Sequence, residues 1–226
     1  MRIDTRTEAA ELRRRIAGRP LRERVHLAAR LSSVPWDRVL AAFEPEGDLL
    51  DVGCGPGLLA HLLERAGFRG TYRGIDVDPR KIDRARAVPG EKPGRRFDVL
   101  PLEEAPPGAF DQVALLDVLY LVPKSGRPAF VERSAGCLKP RGRLVALTSG
   151  GGPPWKRALD RLQERVAVFA LRMTAGAAVE TCDGAEVAAL MTEAGLVDVE
   201  VRGIGAGYLH GFELVVGRRG AAGAVP

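Results

Sequence analysis

The sequence predicts an α/β fold in which a seven-stranded, mostly parallel sheet carries helices on both faces. From about residue 48 onward, short β-rich apolar runs alternate with helical stretches, a pattern typical of parallel sheets that are buried on both sides. The length of 226 residues fits one such domain. Hydrophobic residues make up 46% and charged residues 28% of the chain, which excludes wholesale disorder and fibrous repeats.

Seven apolar runs are the candidate strands: residues 49–52, 72–77, 97–100, 112–116, 143–148, 197–201 and 211–216. Two of the intervening helices have clear ends. Residues 58–66 form a helical stretch that stops at Gly67, and residues 186–194 form another that stops at Gly195. Both ends are predicted because glycine suits the left-handed residue that commonly terminates a helix.

Three segments lie outside this alternation. Residues 1–44 predict an N-terminal helical extension and residues 218–226 a flexible tail, which leaves residues 45–217 as the main domain. Within that domain, residues 150–180 predict a helical insertion or lid. Its apolar residues recur at alternating four- and three-residue steps, as one face of a helix requires: Trp155, Leu159, Leu162, Val166, Phe169 and Met173.

Composition also limits the compartment and the partners. No apolar run is long enough to cross a bilayer and the first residues do not resemble a signal sequence, so we expect a cytoplasmic protein. The three cysteines are far apart, which predicts neither a disulfide framework nor a metal site. Much of the net charge of +5 comes from arginines in the first thirty residues. Acidic residues interleave with them, which favours a solvated helix face over a footprint for RNA or an anionic surface.

The most informative stretch is DVGCGPG, residues 51–57, which lies directly between the first strand and the helix that follows it. Glycines there let the backbone turn sharply and approach a ligand closely. Their spacing departs from that of a dinucleotide-binding loop, because Leu58 stands where the third glycine belongs. Asp51 would repel a pyrophosphate and attract an ammonium group. The loop therefore favours a positively charged ligand over NAD or FAD.

An acidic residue also ends the second strand, in the sequence GIDVDP. Asp76 lies about 20 residues after the loop, where a carboxylate can accept hydrogen bonds from both hydroxyls of a ribose. Asp78 precedes Pro79 and is interpreted as the N-cap of the next helix, with proline in its first position. Asp76 is therefore the predicted ribose ligand.

With these motifs the chain resembles the class I S-adenosylmethionine-dependent methyltransferases. The resemblance rests on four motifs in the order of that family, LLDVGCGPG, GIDVDP, FDQVALLDVLYLVP and LKPRGRLVAL, and it covers roughly residues 45–217. It implies a Rossmann-like sheet whose last strand runs antiparallel to the other six. It also implies that the cofactor is S-adenosyl-L-methionine.

The resemblance further implies a role for individual residues. Asp51 would help to hold the amino group of the cofactor, and Asp76 would take the ribose hydroxyls. Asp117 would lie beside the methionine part, partly through its backbone carbonyl, or would instead cap a helix or a turn. The other predicted cofactor contacts are Gly53, Cys54, Gly55, Gly57, Val77 and Leu102.

The adenine contact is the point at which the sequence departs from the family's pattern, an acid followed by a small or apolar residue after the third strand. The chain has FDVLPLE over residues 97–103. Either Asp98 is that acid, or Pro101 takes its position and Leu102 offers its backbone amide, with Glu103 as a substitute acid. We favour the second alignment.

Methyl transfer from a sulfonium is an in-line displacement, so positioning can supply most of the catalysis, and a base is needed only where the acceptor loses a proton. His210 and Tyr208 are the candidate catalytic residues, because an antiparallel seventh strand would place them at the sheet edge that carries the cofactor. His210 is alternatively a turn residue or a group that shapes the substrate site. His26 and His61 are expected on the surface.

The acceptor is the least constrained feature. Aromatic residues are only 5% of the chain and no RNA-binding module is recognisable, which disfavours a nucleic acid acceptor. Residues 152–155, GPPW, lack both the first residue and the position after the fourth strand that a base-gripping motif would have. We therefore expect a small-molecule or lipid-like acceptor. The alternatives are RNA methylation and cofactor binding without catalysis, and arginines within residues 150–180 leave peripheral membrane contact open.

Overall fold

The computed structural model describes residues 28–87, 91–149, 182–208 and 211–221. Most of the predicted N-terminal extension, the predicted insertion, His210 and most of the predicted tail lie outside these residues and stay predictions. Where the extension enters the described part, residues 28–33 are helical, and helix α1 follows at Trp36–Leu40.

The strands form one seven-stranded sheet in the order β3-β2-β1-β4-β5-β7-β6. All seven predicted strands are confirmed, and most extend a residue or more beyond the predicted runs. Their bounds are β1 Asp48–Val52, β2 Thr71–Asp76, β3 Arg95–Val99, β4 Phe110–Leu116, β5 Leu138–Ser149, β6 Leu196–Gly203 and β7 Phe212–Arg219.

Four further helices accompany the strands: α2 Leu58–Arg65, α3 Pro79–Ala85, α4 Arg127–Gly136 and α5 Gly184–Glu193. The predicted helix ends are confirmed, since Gly67 and Gly195 have φ angles of 84° and 78°. The predicted cap is confirmed as well, because the Asp78 carboxylate accepts a hydrogen bond from the Arg80 amide at 3.0 Å. Among the described residues, no helix combines the length and the apolar character that crossing a membrane requires.

The chain divides into two compact units, Met1–Ala105 and Pro106–Pro226. In the first unit, β2 pairs in parallel with β1 on one side and with β3 on the other. Asp51 lies opposite Gly74 in this register, and Asp76 is the last residue of β2. The carboxyl ends of the three strands therefore share one edge, where both acidic residues lie.

Apolar side chains hold this unit together. Those at most 1% exposed include Leu49, Leu50, Leu62, Ile75, Ile82 and Phe97. Full burial of a side chain of this size contributes roughly 1.5–3 kcal/mol, so this core outweighs any single polar contact of the unit.

The helix after the glycine loop is buried more deeply than the sequence suggested. Every residue from Leu58 to Leu63 is buried, and His61 is only 1% exposed. The expected surface position of His61 is therefore wrong. A helix that packs by one face alone would leave part of this stretch exposed, whereas the first six residues of α2 are buried on all sides.

In the second unit, β4 pairs in parallel with β5, while β7 pairs antiparallel with both β5 and β6. The predicted antiparallel last strand is thus confirmed. Ser149, the last residue of β5, lies opposite Phe212, the first residue of β7. The segment that leads into β7 consequently lies at the edge where β5 ends.

A buried cation organises the helical side of this unit. Arg127 is fully buried and donates to the Glu186 carboxylate at 2.7 Å, and its Nε donates to the Val122 carbonyl at 3.2 Å. These bonds tie α4 and α5 to the segment that follows β4. That segment contains a 3-10 turn at Leu119–Leu121.

Candidate functional site

The loop between β1 and α2 owes its shape to glycine. Gly53, Gly55 and Gly57 have φ angles of 72°, 54° and 79°, in the left-handed region that side chains with a Cβ rarely occupy. The amides of Gly53 and Cys54 both donate to the Ile75 carbonyl, at 2.8 and 3.0 Å, which ties the loop to β2. Apart from its own chain neighbours, no atom of the described residues would lie within 4 Å of a Cβ added at Gly55, so the space beside this residue is open in that part of the chain.

Asp51, the next-to-last residue of β1, carries a buried carboxyl group and is 3% exposed. The Tyr72 hydroxyl donates a hydrogen bond to its Oδ2 at 2.5 Å. Burial raises the pKa of Asp51 to about 7; the Tyr72 hydrogen bond opposes this rise, and the nearby Asp76 charge adds to it. A ligand with a positive charge would therefore stabilise the ionised form of Asp51.

Asp76 is the second buried carboxylate, 5% exposed. Its Oδ2 accepts a hydrogen bond from the Gly55 amide at 3.1 Å, and its Oδ1 accepts one from the Asp78 amide at 2.9 Å. The Lys81 ammonium lies 3.5 Å from Oδ2. The Asp76 carboxylate, at the end of β2, thus contacts both the glycine loop and α3. These contacts fix the position of its two oxygens.

Apolar and backbone groups lie at the same end of the strands. Val77 is 71% exposed directly after Asp76, and Val99 is 46% exposed as the last residue of β3. Leu102 is buried and begins a 3-10 turn. Exposed β-branched side chains of this kind are suited to cover the face of a flat apolar ligand.

Asp98, the alternative adenine ligand, is already engaged within the protein. It accepts hydrogen bonds from the Nε atoms of Arg73 and Arg96, each at 2.8 Å. Burial alone would raise its pKa, but the two guanidinium groups hold that pKa below the usual value. This arrangement favours the alignment that uses Leu102.

Two predicted residues lie in the second unit. Asp117 follows β4 with a φ of 53°, an uncommon value for a residue other than glycine, and its amide donates to the Leu147 carbonyl at 3.2 Å. Tyr208 lies in a turn before β7, where its amide donates to the Gly205 carbonyl at 3.1 Å. His210 lies outside the described residues.

Sequence reasoning missed three residues of the first unit: Tyr72, Gly74 and Lys81. A Cβ on Gly74 would lie 2.8 Å from the Cys54 Sγ and 2.9 Å from the Phe97 ring, so only glycine fits there. The one available signal was a tyrosine in a strand expected to be buried. A buried hydroxyl needs a hydrogen-bond partner.

Cys54 contributes to the packing of this loop. Its thiol is buried, and burial together with the negative charges of Asp51 and Asp76 holds its pKa far above the usual value. It therefore stays a neutral thiol that packs on β2. Within the described ranges, no group of three or more potential ligands is arranged to hold a metal ion.

The sequence matches the family model of a methyltransferase domain over residues 19–201, which is more than half of the chain. The chain therefore belongs to this family. The resemblance to class I S-adenosylmethionine-dependent methyltransferases is confirmed.

A ubiquinone biosynthesis O-methyltransferase from Xanthomonas axonopodis pv. citri (strain 306) is 34% identical over 130 residues, which are 54% of this chain and 52% of that protein. The chain thus spans about half the length of the curated relatives it matches.

Two solved structures share the fold. A SAM-dependent methyltransferase from Methanosarcina mazei has a TM-score of 0.60 at 18% identity and covers 83% of this chain and 98% of its own. An O-methyltransferase family protein from Burkholderia thailandensis has a TM-score of 0.66 at 24% identity, with coverages of 89% and 60%. These similarities confirm the predicted Rossmann-like fold.

Proposed function

We propose that the protein is an S-adenosylmethionine-dependent methyltransferase that acts on a small-molecule or lipid-like acceptor. The observation that carries the proposal is the pair of buried carboxylates, Asp51 and Asp76, beside a loop of left-handed glycines. Two anionic groups there oppose a pyrophosphate and suit a ligand with an ammonium group and a ribose. Membership of the methyltransferase domain family supports the same ligand.

The residues of the first unit fit the parts of this cofactor. Asp51 holds the amino group, and Asp76 accepts hydrogen bonds from the ribose hydroxyls. The open space beside Gly55 admits the methionine chain without a Cβ in its path. Val77 and the Leu102 amide contact the adenine.

When bound, S-adenosylmethionine would supply an electrophilic methyl group: a lone pair of the acceptor would attack the methyl carbon, and the carbon–sulfur electron pair would leave with S-adenosylhomocysteine. The chain's own contribution is to hold the acceptor in line with that methyl group and to keep competing water out. For a hydroxyl acceptor the proton must also leave; His210 is the proposed base, and Tyr208, two residues earlier in the sequence, is proposed to orient the acceptor.

The class of acceptor rests on relatives. The curated protein with 34% identity is named for O-methylation in ubiquinone biosynthesis, and one of the structural neighbours is an O-methyltransferase family protein. An oxygen nucleophile on a small or lipid-like molecule is therefore the acceptor to test first.

The test has two parts. Calorimetry should show binding of S-adenosylmethionine and of S-adenosylhomocysteine, and no binding of NAD at the same concentrations. Protein incubated with methyl-labelled cofactor and fractionated cell extract should then transfer label to metabolites or lipids. Label found only in RNA would overturn the acceptor class, and binding of NAD in place of S-adenosylmethionine would overturn the function.

A further inference from the structure

We propose that Tyr72 is a positioning residue for cofactor binding: its hydroxyl holds one oxygen of Asp51, so that the other oxygen meets the cofactor's ammonium group. This inference rests on the proposed function and assigns a task to a residue outside the glycine loop. Tyr72 does not itself contact the ligand in this arrangement, but acts through Asp51.

The geometry of the pair supports this task. Tyr72 is 4% exposed and Asp51 is 3% exposed, and the hydroxyl donates to Oδ2 at 2.5 Å. Among the described residues, no other donor bonds to the Asp51 side chain. One carboxylate oxygen is thus fixed by the protein, and the second remains for a ligand.

The ring of Tyr72 also has a defined packing partner. It packs against Phe97, with ring centroids 5.6 Å apart and the planes tilted by 57°. The register of β1 and β2 pairs Leu49 with Tyr72, two residues before Asp51, so the tyrosine side chain reaches along the strand to the carboxylate. The strand that carries Tyr72 is paired on both sides, and its ring packs against Phe97, so the sheet sets the position of the hydroxyl.

The charges around the pair determine how its ionisation responds. Three groups interact with Asp51: Tyr72 on β2, Cys54 in the loop and Asp76 at the end of β2. Two cations interact with these groups and not with Asp51 directly. Arg95 interacts with Tyr72, and Lys81 interacts with Asp76. No cation of the described residues bonds to Asp51 itself. The Tyr72 hydroxyl is therefore the protein's own stabilisation of the carboxylate, and its removal favours the protonated form.

The decisive variant is Tyr72→Phe, because it removes the hydroxyl and keeps the ring. Calorimetry between pH 5.5 and 7.5 stays below the titration of the ligand's own amino group, which has a pKa near 8. The native protein should bind S-adenosylmethionine more tightly as pH rises through about 7, since Asp51 ionises there. The variant should bind about tenfold more weakly at pH 7 and need a pH about one unit higher for the same rise.

A second ligand separates positioning from damage to the fold. 5′-Methylthioadenosine keeps the adenosine and the sulfur but lacks the amino acid part, so its affinity should not change in Tyr72→Phe. The matched control is Phe97→Leu, which loosens the packing of the ring and leaves the hydroxyl bond. It should lower the unfolding free energy without changing the ratio of the two affinities. In an Asp51→Asn background, Tyr72→Phe should have no further effect on S-adenosylmethionine.

The outcomes distinguish this inference from the function on which it rests. If the native protein binds S-adenosylmethionine but Tyr72→Phe weakens both ligands equally or neither, the positioning role is overturned. An undiminished effect in the Asp51→Asn background overturns it as well. If the native protein binds neither ligand, the proposed function fails and this role fails with it.

Discussion

Asp76 holds together the glycine loop and the start of α3 before any ligand binds. Its two oxygens accept hydrogen bonds from the amides of Gly55 and Asp78, and Lys81 lies beside it. A carboxylate oxygen can accept more than one hydrogen bond, so the residue can keep these partners and still receive the hydroxyls of a ribose.

We expect Asp76→Ala to weaken S-adenosylmethionine binding by about 1–3 kcal/mol, the range for losing hydrogen bonds to a charged group. Calorimetry measures this loss. The control is Asp78→Ala, which removes the cap of α3 and should lower the unfolding free energy by about 1 kcal/mol while leaving the affinity unchanged. Equal losses of affinity in the two variants would contradict the assigned role of Asp76.

The space around Gly74 is too small for a larger residue, which predicts a loss of stability on substitution. Gly74→Ala should lower the unfolding free energy by about 1–3 kcal/mol, because the added Cβ would lie within 3 Å of both Cys54 and the Phe97 ring. The matched control is Gly203→Ala in β6, where the added Cβ would meet no atom within 4 Å among the residues that the structure describes, its chain neighbours aside. Urea denaturation compares the two. A loss of similar size in both variants would show that strand glycine itself, and not the crowded site, is responsible.

At the scale of elements, local signals were enough to predict strands and helix ends. The glycines at 67 and 195 and the aspartate at 78 act on their own helices, so their sequence neighbours determine their role. The Asp51–Tyr72 bond joins residues 21 positions apart, and only the register of two strands brings them together. The pattern of residue types likewise does not predict the left-handed backbone conformation of Asp117.

An ion cluster fastens α2 to β3. Glu64 accepts hydrogen bonds from Lys92 at 2.5 Å and from Arg95 at 2.7 Å. Partial burial opposes ionisation, but these two cations prevail and lower the pKa of Glu64 from its ordinary 4.5 to about 2. A carboxyl group whose pKa is lower in the folded state stabilises that state above its unfolded pKa, and loses this contribution as pH falls through the folded value.

Glu64→Gln should therefore lower the unfolding free energy at pH 6, and the difference from the native protein should shrink as the pH falls from about 4.5 toward 2. Urea denaturation at pH 6 and pH 3 tests the change in this difference. Glu193→Gln, an exposed change at the end of α5, should show no such trend. A difference that stays constant with pH would mean that Glu64 acts through packing and not through its charge.

At the scale of the whole molecule, the order of motifs along the chain predicted the class of fold better than any single residue did. Alternating strands and helices restrict the sheet to a few topologies, and the reversal of β7 followed from the resemblance to a family. The same reasoning could not place a base. His210 is predicted from its strand position alone, whereas the geometry of the bound acceptor determines which residue receives its proton.

Binding of the proposed ligand should also stabilise the folded state of the whole chain. A ligand that binds only the folded state stabilises it by about 2.7 kcal/mol when present at 100 times its Kd. We therefore expect S-adenosylmethionine to raise the urea midpoint of the native protein, and NAD at the same concentration to leave it unchanged. At a fixed ligand concentration, the rise in the urea midpoint should be smaller in Asp76→Ala, because a larger Kd lowers the ratio of ligand concentration to Kd on which the stabilisation depends. The rise should be unchanged in Asp78→Ala. A midpoint raised equally by both ligands would show that the site binds adenosine without distinguishing the ammonium-bearing chain from a pyrophosphate, against the role assigned to Asp51.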